Sequence, residues 1–317
     1  MISSLNTSLI KPHALRLGDT VGIVAPASNI KRKDLEVGCE ALRQAGYRPV
    51  YLDSILDQDL YFAGSVERRA RELETMFARE DVKAVICARG GYGANYLLEA
   101  LALEAIKTHP KIFVGYSDLT TLMTCFSSAG GFVTFHGPMV AKDWAHENGI
   151  DFSSWRAMLS GSDEEFVLNA DSGITGLCHG DAEGILYGGC LSILVASLGT
   201  PWEIDTTNRI LFLEDVGAKP YQVDRMLMQL KLAGKFEGVR GIIFGEMREC
   251  VQTANQGYTL EEVIQRIVSP LRVPVAYGLR SGHVTAQNIT LPIGVKAGLT
   301  VHGGAANLKF LESAVTL

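Results

Sequence analysis

The sequence lacks the features that mark secreted, membrane-spanning and nucleic-acid-binding proteins. No apolar run reaches 18 residues, and the first 20 residues have no basic start followed by a long apolar core. We therefore expect neither a transmembrane helix nor a secretory signal. The six cysteines are scattered without a C-x-x-C pair, which favours a reduced, cytoplasmic protein. Basic residues form no block and the net charge is −6, which argues against nucleic acid or an anionic membrane as a partner.

Metal-ligand patterns are also missing. The seven histidines show no H-E-x-x-H or other metal spacing, so the sequence predicts no metal site and no cofactor. What is present is an ordinary globular composition, with 47% hydrophobic and 20% charged residues over 317 positions. A chain of this length usually divides its core between two domains. We expect two domains and a small-molecule or peptide substrate.

The first half of the chain alternates apolar runs of strand length with amphipathic stretches. The runs TVGIVAPAS, VKAVICARGGYG and KIFVGYSD predict strands, and the stretches between them predict helices, including ANYLLEALAL at residues 94–103. Continuous apolar strands joined by helices are typical of a doubly wound parallel sheet, in which ligands bind beyond the carboxyl ends of the strands. The prediction is an N-terminal α/β domain over residues 1–165.

The second half resumes strands and helices after a change in composition. Residues 166–180 are rich in Ser, Asp and Gly and lack periodicity, so they are predicted to be a linker. Residues 181–317 end in an alternating stretch broken by Gly at residues 288–313, which is typical of an antiparallel meander. The predicted fold class is α/β, with a doubly wound N-terminal domain and a smaller, mixed α/β C-terminal domain.

Ser117 stands at the corner between the strand KIFVGY and the helical pattern that follows it. Two interpretations are open. The hydroxyl can cap the helix by accepting a hydrogen bond from an orphan backbone N–H. Alternatively, Ser117 is a nucleophile on a tight turn, with its hydroxyl facing a cleft. Position alone favours the cap, because serine caps are common.

The turn ARGGYG, at the end of the preceding strand, contains Gly90, Gly91 and Gly93. Such a turn can point backbone N–H groups at a negative charge, although neither phosphate-loop motif matches it. Consecutive strands commonly pair, so Gly91 and Ser117 are expected to lie close together. That is the arrangement of an oxyanion hole beside a nucleophile; a plain tight turn is the alternative.

Two more features supply the groups that activate a serine. Glu214 and Asp215 end the apolar run RILFLED; side chains alternate across a strand, so at most one of them reaches a given cleft. His283 follows a later strand and is the natural general base near neutral pH. His136, in FHGPM, is a second histidine for the same cleft. The competing interpretations are surface acidity and a solvated loop histidine. Together with Ser117, these groups suggest a Ser–carboxylate–His triad at the domain interface.

Seven segments resemble, in order, the LD-carboxypeptidases, serine peptidases that also include the microcin C immunity peptidases. They are GDTVGIVAPAS, ARGGYG, FVGYSDLT, FHGPM, LYGGCLSILVASLGTPWEID, LFLEDVGAKPYQVDRMLMQL and SGHVTAQNITLPIG. The resemblance implies the same two-domain fold and a homodimer. It also implies release of the terminal D-alanine that follows the L-configured centre of a diamino acid in murein tetrapeptides. That reaction is a step in cytoplasmic cell-wall recycling.

The resemblance also implies a role for individual residues. Carried over by motif, Ser117 is the nucleophile, Glu214 the orienting acid and His283 the base. The backbone N–H groups of Gly91 and Asp118 form the oxyanion hole.

Three positions qualify this assignment. Arg89, beside the Gly-rich turn, is our candidate for binding the substrate carboxylate, with an ordinary surface arginine as the alternative. The turn around Ser117, GYSDL, lacks the second glycine of G-x-S-x-G. Cys190 stands where many relatives have Asn, which leaves open the hydrogen bond that this Asn makes.

Two other functions are considered. An immunity-type peptidase would cleave a peptidyl-nucleotide and needs extra aromatic surface for a nucleobase, but the sequence has no obvious aromatic insertion. A non-catalytic α/β ligand-binding protein would retain only the pocket. The presence of Ser117, Glu214 and His283 together in matching motifs argues against such a binding protein.

Overall fold

The computed structural model describes residues 9–161, 165–252 and 257–317. Residues 1–8, on which the expected absence of a secretory signal partly depends, lie outside these ranges. The predicted domain boundary at residue 165 borders the undescribed residues 162–164. Among the helices of the described ranges, none is both long enough and apolar enough to cross a membrane.

Within the described ranges, the first sheet has six strands. They are β1 Thr20–Val24, β2 Arg48–Val50, β3 Val82–Cys87, β4 Ile112–Gly115, β5 Thr134–His136 and β12 Leu291–Ile293. Their order is β12-β5-β4-β3-β1-β2. The strands β1 to β5 pair in parallel, and β12 joins the edge antiparallel to β5. The strand order reverses direction between β1 and β3, which is the place where doubly wound sheets bind ligands.

Five helices accompany this sheet: α1 Arg32–Gln44, α2 Val66–Ala78, α3 Leu103–Lys107, α4 Thr120–Ser128 and α5 Phe152–Leu159. Ser65 caps α2 by accepting from the Arg68 N–H. The helix predicted at residues 94–103 is wrong, because only a 3-10 turn forms at Ala94–Leu97. The Ala102 N–H donates to the Glu74 carboxylate at 2.7 Å and so does not continue a helical ladder.

The second sheet has eight strands in the part of the chain that the structure describes. They are β6 Val167–Leu168, β7 Thr175–Cys178, β8 Gly180–Cys190, β9 Arg209–Glu214, β10 Gly241–Gly245, β11 Val275–Leu279, β13 Lys296–His302 and β14 Ala305–Phe310. Their order is β13-β8-β9-β10-β11-β7-β14-β6, and β13 also pairs with β14, so the sheet closes on itself. The central strands β8 to β11 are parallel. Three helices accompany it: α6 Leu191–Ala196, α7 Pro220–Leu232 and α8 Leu260–Val268.

Two predictions about the C-terminal half need correction. Residues 166–180 are not a linker, because β6 pairs with β14 and β7 with β11. These strands are short and partly exposed, so backbone hydrogen bonding places them without an apolar pattern. The predicted meander is confirmed for β13 and β14, whereas β12 leaves it for the first sheet.

One cluster of buried apolar residues is shared by the two units. A single cluster of buried residues includes Phe113 and Leu122 from the N-terminal half together with Leu191, Leu213 and Phe244 from the C-terminal half. The helix α4, which follows Ser117, contacts α6 and β8. Burial of this shared surface fixes the position of one sheet's carboxyl-end loops against those of the other.

Candidate active site

A cavity of about 390 Å³ opens at the carboxyl ends of β3 and β4. Its lining includes Ser117, Gly91 and Arg89 from the first unit, and His283 from the loop after β11. Four residues from three distant parts of the sequence, all predicted for the site, therefore line one cavity. The expected location between the two domains corresponds to this cavity.

Ser117 has an unusual backbone conformation. Its φ is +63°, in the left-handed region, which costs a residue with a side chain roughly 1–2 kcal/mol. It lies within the 3-10 turn Ser117–Leu119 that leads into α4, and Tyr116 occupies the N-cap position. The Ser117 hydroxyl makes no hydrogen bond to any residue in the described ranges, so the cap interpretation is wrong. A strained turn that holds a half-buried hydroxyl at a cavity is the geometry of a nucleophile elbow.

The Gly-rich turn packs directly against this elbow, as predicted. A Cβ added at Gly90 would lie 3.0 Å from the Ser117 Cβ. Gly91 has φ +97°, and a Cβ there would lie 2.3 Å from the Ser28 hydroxyl, which in turn accepts from the Tyr92 N–H at 3.0 Å. Across the described residues, the N–H groups of Gly91 and Asp118 have no acceptor. Both are thus available to an oxyanion.

The Asp118 side chain joins the two turns. Its carboxylate accepts from the Ala94 N–H at 2.7 Å, which fixes the Gly-rich turn to the Ser117 turn. Sequence reasoning considered only the backbone of Asp118 and missed this contact, because the partner lies on another loop. Burial raises the pKa of this carboxyl to about 6, although the hydrogen bond from Ala94 and the charge of Arg69 oppose the change.

Glu214 and His283 form the strongest polar contact of the site. Glu214 Oε2 accepts from His283 Nδ1 at 2.7 Å and from the His283 backbone N–H at 3.1 Å. Burial opposes ionisation of Glu214, but its interactions with His136 and His283 outweigh burial and hold its pKa well below the usual range. A carboxylate only accepts hydrogen bonds, so Nδ1 carries the proton and Nε2 is left as the basic atom.

His136 contacts the other oxygen of the same carboxylate. Its Nε2 lies 3.8 Å from Glu214 Oε1, beyond hydrogen-bond length, and its Nδ1 lies 2.9 Å from the Ser281 hydroxyl. That hydroxyl donates to the Ile289 carbonyl at 2.8 Å, so it accepts from Nδ1. His136 is fully buried and lies behind Glu214; it does not line the cavity as the sequence suggested.

Asp215 and Cys190 lie outside the reacting group. Asp215 faces away from Glu214, as strand alternation predicts, and its carboxylate accepts from the Ser192 N–H at the start of α6. The buried Cys190 donates its backbone N–H to the Thr120 hydroxyl at 3.0 Å, and burial raises the pKa of its thiol well above the usual value. In the described ranges, no group of three or more His, Cys, Asp or Glu side chains is arranged to hold a metal ion.

Comparison with known proteins identifies the family. Sequence models of the LD-carboxypeptidase N-terminal and C-terminal domains match residues 21–137 and 183–299. The chain belongs to the LD-carboxypeptidase family. It is 39% identical over 293 residues to the probable murein peptide carboxypeptidase of Bacillus subtilis, a match that covers 91% of each chain. The predicted family and fold class are thereby confirmed, and with them the assignment to carboxypeptidases of the serine type.

Solved structures agree with this family. The muramoyltetrapeptide carboxypeptidase from Oxalobacter formigenes is 30% identical, with a TM-score of 0.83 over 94% of this chain and all of that chain. The microcin C7 self-immunity protein MccF in complex with glutamyl sulfamoyl guanosine is 24% identical, with a TM-score of 0.88 over 96% of this chain and 99% of that chain. The second likeness concerns the fold alone.

The substitution Gly282→Ala should disable this LD-carboxypeptidase family member by displacing Glu214. Gly282 has φ +95°, and a Cβ there would lie 2.7 Å from the Glu214 Cδ and 2.8 Å from the His136 Cε1. We expect kcat for peptide hydrolysis to fall at least about 10²-fold, because small displacements of catalytic groups have effects of that size.

Gly304→Ala is the matched control for this variant. Gly304 has φ +83°, and nothing lies within 4 Å of its added Cβ. It therefore carries the left-handed strain, roughly 1 kcal/mol of stability, without the contact. Equal losses of kcat in the two variants would show that backbone strain, and not the crowding of Glu214, causes the effect.

Asp118→Asn should change the pH dependence of folding stability. The Asp118 pKa is about 6 in the folded protein, against an ordinary 3.8. The folded chain binds this proton more tightly, so the contribution of Asp118 to stability is lost as pH rises from about 4 to about 6. A difference of this size corresponds to about 3 kcal/mol. The Asn variant should gain on the wild type as pH rises from about 4 to about 6, by up to that amount, and keep the gain at higher pH; urea denaturation measures it.

Asp118→Ala separates charge from hydrogen bonding in the same experiment. It removes the acceptor of the Ala94 N–H, so it should be less stable than the Asn variant by about 1–3 kcal/mol at each pH. Parallel pH profiles for the wild type and the Asn variant would contradict the raised pKa of Asp118.

Proposed function

We propose that this protein is a serine carboxypeptidase that releases the terminal D-alanine of murein tetrapeptides. The observation that carries the proposal is the 2.7 Å contact between His283 Nδ1 and the buried Glu214 carboxylate, in a cavity shared with the left-handed Ser117. The family membership and the names of two relatives, a probable murein peptide carboxypeptidase and a murein tetrapeptide carboxypeptidase, support the choice of substrate.

In the proposed mechanism, His283 Nε2 removes the proton of the Ser117 hydroxyl, and the oxygen attacks the scissile carbonyl. Glu214 keeps the imidazole in the required tautomer and stabilises the imidazolium that forms. His283 then returns the proton to the departing amine of D-alanine, and water hydrolyses the acyl-enzyme. Each step uses a group that already lies in or against the cavity.

The N–H groups of Gly91 and Asp118 are the proposed oxyanion hole. They have no acceptor among the described residues, and the Ser28 hydroxyl and the Asp118 carboxylate hold their two turns in place. Such preorganised donors stabilise the charge that develops in the transition state, typically by about 10²–10³ in kcat per donor.

The proposal includes a cytoplasmic role in cell-wall peptide recycling and a homodimer. Both rest on the family resemblance. Size-exclusion chromatography with light scattering would determine the oligomeric state.

Cleavage of a peptidyl-nucleotide is the second candidate, favoured by the 28% identity to the Escherichia coli protein MccF over 90% of this chain and 91% of that chain. The aromatic residues Tyr92 and Tyr96 are near the Gly-rich turn but line a different cavity. Among the described residues that line the Ser117 cavity, none is Phe, Tyr or Trp. A nucleobase would find little stacking surface there, so the murein peptide is preferred.

Ser117→Ala should abolish the loss of D-alanine from a murein tetrapeptide, measured by mass spectrometry against the wild type. Without the nucleophile, kcat should fall by up to about 10⁶-fold, as in other triads. His283→Ala should be similarly impaired, because Ser117 then has no base.

The controls decide between the candidates. A fluorophosphonate probe should label wild-type Ser117 and leave the Ala variant unlabelled, which a mere binding protein would not do. If the folded wild type cleaves a peptidyl-nucleotide and leaves the tetrapeptide intact, the murein proposal is wrong.

Glu214→Ala and Asp215→Ala should have different effects. Glu214→Ala removes the partner of His283 and should lower kcat by about 10⁴-fold. Asp215→Ala removes the acceptor of the Ser192 N–H, so it should mainly reduce stability, by about 1–3 kcal/mol. Kinetics and urea denaturation of both variants measure these effects. A larger loss of kcat in Asp215→Ala would reassign the orienting acid.

A further inference from the structure

Lys142 holds a positive charge beside the reacting groups. It is half-buried and lines the same cavity as Ser117 and His283. Its ammonium lies 5.1 Å from the ring centroid of the buried Tyr116, and that ring meets the His283 ring edge-on with centroids 5.1 Å apart. The Tyr116 ring therefore contacts both the Lys142 ammonium and the His283 imidazole, on the same side of the cavity.

The ammonium has no acidic partner. Among the described residues, the Lys142 ammonium forms no ion pair and no hydrogen bond. Both nearby carboxylates are engaged elsewhere: Asp143 accepts from the Met139 N–H at 2.8 Å and from the Tyr116 hydroxyl at 3.2 Å, and Glu214 accepts from His283. A partly desolvated charge without a partner is unfavourable, so a ligand that supplies an anion would be stabilised here.

The cavity as a whole favours an anion. Its lining contains Lys31, Arg89 and Lys142 against the single carboxylate of Asp34. Burial lowers the pKa of the Lys142 ammonium. The negative charges of Asp143 and Glu214 oppose this decrease, whereas the positive charges of Arg248 and Arg89 add to it. A bound carboxylate would offset both the burial and the like charges, because it favours the charged ammonium.

We infer that Lys142 binds the C-terminal carboxylate of the peptide substrate. The inference rests on the proposed carboxypeptidase function. It explains why that reaction would require the free C-terminus of the peptide. It also replaces the exposed Arg89, which the sequence predicted as the partner of the substrate carboxylate, with the more buried Lys142. Arg89 lines the cavity but is exposed, and it donates to the Asn29 carbonyl at 3.2 Å. An exposed arginine that already has an acceptor gains less from a carboxylate than a half-buried, unpaired ammonium does.

The test compares a murein tetrapeptide that has a free C-terminal carboxylate with the same peptide as its C-terminal amide. The kcat/KM for release of D-alanine or D-alaninamide is measured for the wild type and for Lys142→Met, which keeps the length of the side chain without its charge. Lys142→Met should lose about 30-fold on the acid, the lower limit for breaking a partly buried charge pair, and less than about 3-fold on the amide. Lys142→Arg should restore part of the preference for the acid.

Lys31→Met is the matched control, because it removes the same charge from an exposed position of the same cavity; solvent screens an exposed charge, so the ratio of acid to amide should change by less than about 5-fold. An unchanged ratio in Lys142→Met, or equal losses on both substrates, would overturn the inference while the carboxypeptidase function stands. Loss of the ratio in Arg89→Met alone would do the same and return the role to Arg89. A folded wild type that cleaves neither peptide would instead overturn the proposed function, and the inference with it.

Discussion

The buried carboxylate of Glu214 is the constraint on which the rest of the site depends. Its side chain is 1% exposed, and its two oxygens face His283 and His136. His136 lies on β5 in the first sheet, whereas Glu214 ends β9 in the second. A buried charge without partners costs several kcal/mol. His283 comes from the same unit as Glu214, whereas His136 faces the second oxygen only when the two units are packed together. The complete surroundings of this carboxylate therefore form only when the two sheets assemble.

Two glycines leave room for the Glu214 side chain, because they have no Cβ. A Cβ at Gly245 would lie 2.6 Å from the Glu214 Cβ, and one at Gly282 would meet the Glu214 carboxyl. The loop that carries His283 is held by Asn288, whose side-chain amide bonds both the N–H and the carbonyl of Gly282. The loop then enters β12, which pairs with β5. The base is thus fixed by the sheet that also carries the nucleophile.

Local sequence patterns were sufficient to predict much of this site. Apolar runs located the strand ends, pairing of consecutive strands placed Gly91 near Ser117, and strand alternation separated Glu214 from Asp215. Such patterns were insufficient where contacts between residues that are distant in the sequence determine the structure. The strand β12 pairs with a strand more than 150 residues earlier. In the segment where a helix was predicted, Asp118 accepts from the Ala94 N–H and Glu74 accepts from the Ala102 N–H. The sequence pattern did not identify Lys142, because only the folded structure shows that its ammonium has no acidic partner.

Charge at the site differs in sign from charge on the whole chain. The protein carries −6, yet the cavity lining is cationic, so the local field and not the net charge governs the approach of an acidic peptide. In the proposed reaction, the substrate carboxylate leaves with D-alanine. Lys142 therefore acts on the Michaelis complex and on the attack by Ser117, and it has no partner in the acyl-enzyme. An interaction present only before the leaving group departs selects the chain end without holding the acylated intermediate, which water must still reach.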